Sequence, residues 1–514
     1  MKKWLLAVIV CSLVASGCSR YKGNSEPSEK DHSSEESLPD TKEEELMVTT
    51  ESAPLAERKP VKVKGIYISG YMAGSEGFQA ILDKIEGTEI NAVVIDVKND
   101  EGRITFAMDN APTVNEIGAT EKYIKDINGL MAQLKARGLY TIARVVAFRD
   151  PYLAEKKPEW SLKNKDGSLH RDNKGLAWVN PYRPEVWDYL VEVGKEASQV
   201  GFDEIQFDYI RFATDGTMKQ VAFDEADTKG RSKTDIISEF VKYAYEKLSV
   251  YDVFVSADVF GTIIGSRVDA EAVGQDYGEM AGHLDYICPM IYPSHYGEGN
   301  FGIRHPDTEP YRTIRAALKM SRQDLGTVGG EGKSQAIVRP WLQDFTASYL
   351  DHHISYGPKE VRDQIQAVYD SGYDEWILWS ASNRYTWDGL QSRGAAEAES
   401  EKIAQSREAE AALIKASEEL KSETGDTEQE TESVDEAGTA EVKSGQVKAA
   451  AEVKGEEAAA EVKSGQAEAE KSLEGKVAVT ESPAETKTEK DSAGKKETRT
   501  KPPVVIVTTG GSKK

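Results

Sequence analysis

Eight short runs of apolar, largely β-branched residues recur through the middle of the chain, at 64–69, 91–97, 140–148, 204–210, 253–259, 286–292, 336–345 and 375–380. Stretches with helical apolar periodicity stand between several of them, at 124–137, 184–200, 235–248 and 358–371. A near-continuous apolar strand needs cover on both faces, and helices joining parallel strands supply it on one. Eight such alternations within about 333 residues predict an α/β fold, a single (β/α)8 TIM barrel. An open doubly wound sheet is the competitor, and it ordinarily carries a glycine-rich phosphate turn after its first strand. This chain has Ser69-Gly70-Tyr71-Met72 there.

Composition sets the limits of the barrel. Residues 61–394 hold seven of the eight Trp, whereas 395–514 contain no aromatic residue, with 27 acidic and 18 basic side chains. Ala-Glu-Val-Lys recurs in that tail at 440, 451 and 460, and the uneven spacing marks low-complexity expansion rather than a solenoid. Residues 397–423 are expected to be helical by propensity and the rest disordered; a wall- or partner-binding tail is the functional reading of the same stretch. Between 19 and 60 the chain is rich in Ser, Glu, Pro and Lys, with 11 acidic and 6 basic residues, so 18–60 reads as a flexible tether.

The first residues are Met1-Lys2-Lys3, an apolar run over 4–15, then Ser16-Gly17-Cys18. The run is shorter than the roughly 20 residues needed to span a bilayer, and it reads as a secretory signal over 1–17. Ala15-Ser16-Gly17-Cys18 looks like a bacterial lipoprotein signal, in which Cys18 would carry the lipid. The expectation is a lipoprotein of the cell envelope, held to the membrane on its periplasmic or outer surface. Cys288 is then the one thiol of the folded body, which excludes a disulfide framework or a zinc ribbon.

Charge and motifs exclude further classes. A net charge of −24 opposes phosphate backbones, so no nucleic acid is expected as partner. Gly332-Lys333-Ser334 resembles the end of a nucleotide loop, but Thr327 stands where the first glycine is required, so no nucleotide is expected either. The seven His include His295 and His305 on one long loop and the adjacent His352 and His353, none with the spacing of a metal motif. Neither metal nor cofactor is expected.

In a barrel of this kind the reactive groups stand at the C-terminal ends of the strands. Period two in the fourth run puts Ile205 and Phe207 towards the helices and Gln206 and Asp208 towards the axis. The fifth run repeats this, with Ser256 and Asp258 axial and Val255 and Ala257 outward. Asp208 and Asp258 would share one mouth, close enough for paired-carboxylate chemistry; a structural ion pair of Asp208 with Arg144 or Arg211 is the bland reading. Asp96 and Lys98 fall on the axial face of the second run, where they could neutralise each other, and Arg144 does so in the third. Later strand ends offer Met290, Tyr292, His295, Trp341, Gln343, Trp379 and Asn383. Aromatic faces and amide edges suit a sugar ring, although such residues are also ordinary packing.

Lys64-Gly65-Ile66-Tyr67, the second run ending Ile95-Asp96-Val97-Lys98, Phe207-Asp208-Tyr209-Ile210-Arg211-Phe212, Ser256-Ala257-Asp258-Val259-Phe260-Gly261, Pro289-Met290-Ile291-Tyr292-Pro293 and Trp379-Ser380-Ala381-Ser382-Asn383 resemble the bacterial putative glycosyl hydrolase domain family over about 64–388. The resemblance implies a barrel and glycoside hydrolysis. In the wider alpha-amylase-like barrels a fourth-strand Asp is the nucleophile, a position matched by Asp208, and a fifth-strand Glu is the acid, where this chain has the shorter Asp258. Chitinase-like barrels would place their catalytic Glu at 210, where Ile210 stands, which disfavours a substrate-assisted mechanism.

The expected function is hydrolysis of O-glycosidic bonds in a polysaccharide or envelope glycan. Asp208 would be nucleophile or base and Asp258 the acid, with Asp96, Lys98, Arg144, Gln206, Arg211, Tyr292, Trp341, Gln343, Trp379 and Asn383 binding substrate. The rival is a catalytically inactive carbohydrate-binding or scaffold lipoprotein.

Overall fold

The structure is a computed structural model that describes residues 58–214, 216–328 and 335–429, in one compact unit. The expected signal 1–17, Cys18, nearly all of the tether and tail residues 430–514 lie outside the described residues.

The predicted staves are present. The barrel strands are β1 (Lys64–Ile68), β2 (Ala92–Lys98), β3 (Tyr140–Val146), β4 (Glu204–Asp208), β5 (Phe254–Phe260), β6 (Tyr286–Met290), β7 (Ile337–Val338), β8 (Trp341–Gln343) and β9 (Trp376–Trp379). The seventh run, expected as one strand over 336–345, is divided into β7 and β8 at Arg339-Pro340, because a proline cannot donate to the ladder. The two pieces make one stave: Arg339 N still donates to Ile287 O at 3.0 Å, and Ile377 N donates to Pro340 O at 3.0 Å. All barrel pairings are parallel. β9 lies between β8 and β1, and Trp341 of β8 pairs with Met290 of β6, which closes eight staves into a barrel. That closure removes the open doubly wound sheet.

The outer helices are α1 (Gly77–Glu86), α2 (Ile127–Ala136), α3 (Pro184–Gln199), α4 (Lys233–Leu248), α5 (Tyr277–Ala281), α6 (Pro310–Val328), α7 (Pro358–Asp370) and α8 (Arg393–Gln429). Their starts follow local chemistry. Asp126 caps α2 by accepting from Gly129 N, a capping box of Ser232 and Asp235 opens α4, and Pro at the first turn opens α3 and α7. α8 contains the stretch expected to be helical and does more than extend from the domain edge. Ala396 is buried against the barrel, and Arg407 donates to Asp374 Oδ1 at 2.7 Å.

Alternation along the strands builds two apolar layers. Ile66, Val93, Ile95, Ala143, Ile205, Phe207, Val255 and Ala257 pack outward against helices. Tyr67, Val94, Ile142, Cys288, Trp341 and Ile377 pack inside the barrel. At the N-terminal end the interior is plugged by Arg339, whose Nη1 donates to Glu204 at 2.9 Å and whose Nε donates to Glu375 Oε2 at 2.8 Å.

Candidate functional site

At the C-terminal end the interior opens into a cavity of about 170 Å3. β4 and β5 deliver the two carboxylates as period two requires. Gln206 pairs with Ser256 and Phe207 with Ala257, so Asp208 and Asp258 stand at one level on neighbouring strands, roughly 4.8 Å apart at the backbone. Both line the cavity.

Their surroundings differ. Asp208 Oδ2 accepts from Arg144 Nη2 at 2.6 Å and Nε at 3.0 Å, and Oδ1 accepts from Tyr209 N at 2.5 Å. Asp258 has no cation within ion-pair reach among the described residues. Its Oδ1 accepts from Trp341 Nε1 at 2.6 Å, which leaves Oδ2 for the cavity. Burial, reinforced by the negative charge of Asp208, lifts the Asp258 carboxyl well above the usual carboxylate range, against the pull of Trp341 and Arg144. A carboxyl lifted by burial thus faces a carboxylate salt-bridged to arginine.

Arg144 is 1 % exposed and serves more than one anion. Its Nη1 donates to Asp96 Oδ1 at 2.6 Å, and Asp100 Oδ1 lies 3.6 Å from Nη2. Asp96 also accepts from the Tyr67 hydroxyl at 2.6 Å, and burial pushes its carboxyl up to about 6. Asp96 therefore stands behind the cavity and holds Arg144.

Aromatic rings form the walls. Trp379 stacks on Tyr67 at 4.2 Å between ring centres and meets Trp341 edge-on at 5.6 Å. Tyr292 and Met290 continue this side, and His295 is exposed at the rim. Opposite them, the Arg211 guanidinium lies 4.4 Å from the Phe260 ring centre and 4.9 Å from that of Tyr209.

Five expected substrate contacts do not line the cavity: Asp96, already described behind it, and four placed elsewhere. Lys98 does not share the axial face with Asp96. A bulge between them pairs Asp96 with Arg144 but Lys98 with Val145, which turns the Lys98 side chain outward. Its Nζ donates to Val146 O at 2.5 Å and pairs with Asp150 Oδ2 at 2.7 Å. Gln206 is axial but one layer too deep, donating to Cys288 Sγ at 3.3 Å. Gln343 joins loops: Oε1 accepts from Ser294 N at 3.1 Å, and Nε2 donates to Asp307 Oδ1 at 3.0 Å. Asn383, at a φ of +54°, accepts from Ser69 Oγ at 2.8 Å and donates to Tyr67 O at 3.1 Å, so it pins β1 to the last loop.

The cavity also contains residues that strand periodicity does not select. Tyr209 should point outward by alternation, but its φ of +52° ends the strand and turns the ring inward, where the hydroxyl accepts from Arg149 Nη1 at 2.6 Å. Phe260 was available as the next axial position after Asp258. Asp100 reaches the site from the loop after β2, and only its proximity to Asp96 in sequence hinted at it.

The sequence model of a family described as "Putative glycosyl hydrolase domain" matches residues 65–385. Among solved structures, a hypothetical protein from Ruminiclostridium thermocellum is 41 % identical over 38 % of this chain and 97 % of its own, with a TM-score of 0.35. The PgaB (BpsB) glycoside hydrolase domain from Bordetella bronchiseptica is 13 % identical over 62 % of this chain and 94 % of its own, at 0.45. Alpha-L-fucosidase isoenzyme 2 from Paenibacillus thiaminolyticus is 14 % identical over 68 % and 50 %, at 0.42. No curated protein matches the chain.

Proposed function

The chain belongs to the family described as "Putative glycosyl hydrolase domain", and from that premise we propose that it hydrolyses O-glycosidic bonds of a polysaccharide or envelope glycan with Asp258 as general acid and Asp208 as nucleophile or base. The observation that carries this reading is the division of labour between two carboxylates on adjacent strands: one lifted and open to the cavity, the other bonded to Arg144. Glycoside hydrolysis needs a protonated acid at the leaving oxygen and an ionised carboxylate opposite it. Neighbouring strands favour the shorter carboxylate separation, roughly 5 Å, and hence retention of configuration. Trp341, Trp379 and Tyr292 would take the apolar face of the sugar, and Arg211 its hydroxyl edge.

The test is cleavage of an oligosaccharide panel by the full chain, with Asp208→Asn and Asp258→Asn as controls. Cleavage that disappears in both variants supports the pair; a variant with full activity removes its residue from the mechanism.

One observation favours the second reading, a carbohydrate-binding protein without turnover: both oxygens of Asp208 are already engaged, by Arg144 and by Tyr209 N. Binding of panel sugars without any cleavage would select it.

The same proposal holds that residues 61–394 work as the catalytic domain, carried on the tether 18–60 from a lipid on Cys18 at the cell-envelope membrane. Its support is the N-terminal sequence. Among the described residues no helix is long and apolar enough to cross a membrane. Cys18→Ser should move the protein from the membrane fraction to the soluble fraction, and an unchanged distribution rejects the anchor.

A further inference from the structure

Glu298, His305 and His352 are seven and 47 residues apart in sequence, and no motif links them. The fold nevertheless brings them together. Glu298 and His305 lie in the loop that follows β6, and His352 lies in the segment between β8 and α7. One ligand atom from each residue falls within 4.8 Å of the other two. Glu298 Oε1 is 3.1 Å from His305 Nδ1 and 3.8 Å from His352 Nε2. The two imidazole rings lie 3.9 Å apart between centres, tilted by 33° to each other.

We propose that these three side chains bind one divalent transition-metal ion of the zinc type, which clips the β6 loop to the loop after β8. Two imidazoles and a carboxylate are an ordinary zinc donor set, and three protein ligands leave a fourth position for water. Bonds of about 2.0 to 2.1 Å in a tetrahedral site separate ligand atoms by roughly 3.3 Å; the carboxylate oxygen lies 3.1 and 3.8 Å from the two nitrogens, and the exposed His352 ring has to turn out of its stack on His305 to bring its lone pair onto the ion.

Two observations set the cluster apart from a chance group of loop charges. His305 Nδ1 is buried, and although it is 3.1 Å from a carboxylate oxygen it makes no hydrogen bond. The backbone on both sides is also fixed in advance by Asp307, which is 2 % exposed. Its Oδ1 accepts from Gln343 Nε2 at 3.0 Å, its Oδ2 from Ile354 N at 3.4 Å, and its carbonyl from the Tyr356 hydroxyl at 3.1 Å. Both histidines thus stand two residues from an anchored position. The neighbouring His353 points elsewhere, with Nδ1 2.7 Å from Leu350 O.

The test is calorimetric titration of the chelator-stripped full chain with Zn2+ alone, followed by the absorption spectrum with Co2+ in its place. The expected result is one ion per chain, at least tenfold weaker in His352→Ala and in Glu298→Gln, unchanged in His353→Ala, with a tetrahedral cobalt spectrum that both weakened variants lose. His352 and Glu298 are exposed, so these variants keep the fold. Absence of binding by the wild type, or binding that His352→Ala and Glu298→Gln leave intact, overturns the site. Neither result bears on Asp208 and Asp258.

Discussion

The barrel holds a buried arginine at each end of its axis, and the two are used differently. At the closed end Arg339 is shared by Glu204 and Glu375, Tyr140 donates to Glu204 at 3.0 Å, and the Tyr286 ring centre lies 3.8 Å from the guanidinium. At the open end Arg144 is shared by Asp96 and Asp208, and a further carboxylate, Asp258, stands beside them with only an indole N–H. Both arginines compensate the desolvation of the anions around them. At the closed end each acid has the cation as its partner and the end is packed, so the cluster ties β4 to the seventh and eighth staves. At the open end one acid is left without a cation beside a cavity, which is why the proposal gives it the role of acid.

The comparison can be broken from either side. The largest effect is expected at the open end. Asp258→Asn should lower glycoside cleavage by roughly 10²- to 10⁴-fold, the range of a lost general acid, with little change in circular dichroism. Next, Arg339→Met leaves Glu204 and Glu375 buried without a cation and should cost about 3 to 5 kcal/mol in denaturant unfolding, lowering activity only through loss of folded protein.

A smaller effect concerns pH. The folded chain keeps the Asp258 proton above 3.8, the usual value at which the unfolded chain loses it, so stability falls as pH rises from 3.8 until the folded group ionises. Asp258→Asn removes that fall. Its Tm should exceed that of the wild type at neutral pH, and the advantage should vanish below about pH 4. Asp96, lifted to about 6, gives the same sign in a narrower window that ends near its own value. A Tm difference that is flat from acid to neutral pH would show that Asp258 ionises normally.

The smallest effect is expected from Trp341→Phe. The lost N–H favoured the charged form of Asp258, so the alkaline limb of the pH–rate profile should move upward while the maximal rate changes little. A downward shift would mean that the hydrogen bond serves the protonated form.

Much of this was legible in the residues. Eight apolar runs are a physical requirement of a closed parallel barrel, and period two assigns Asp208 and Asp258 to its axis without further information. Periodicity gives the face of a residue, however, and not its depth. Gln206 is axial yet lies a layer below the cavity. It also presumes unbroken strands. One extra residue in β2 turns Lys98 away, and one left-handed residue after β4 turns Tyr209 in. Loop groups such as Asp100, Asn383 and the Glu298–His305–His352 cluster are brought together by chain closure over long separations, which no local pattern encodes.

The central claim is that Asp258 holds its proton in the folded chain to a higher pH than an ordinary carboxyl. Infrared difference spectroscopy across a pH titration measures it directly, without a substrate, through the carbonyl stretch of protonated carboxyls. The account predicts a band that persists above the ordinary carboxylate range in the wild type and is missing in Asp258→Asn. Identical bands in the two proteins throughout the titration would contradict it.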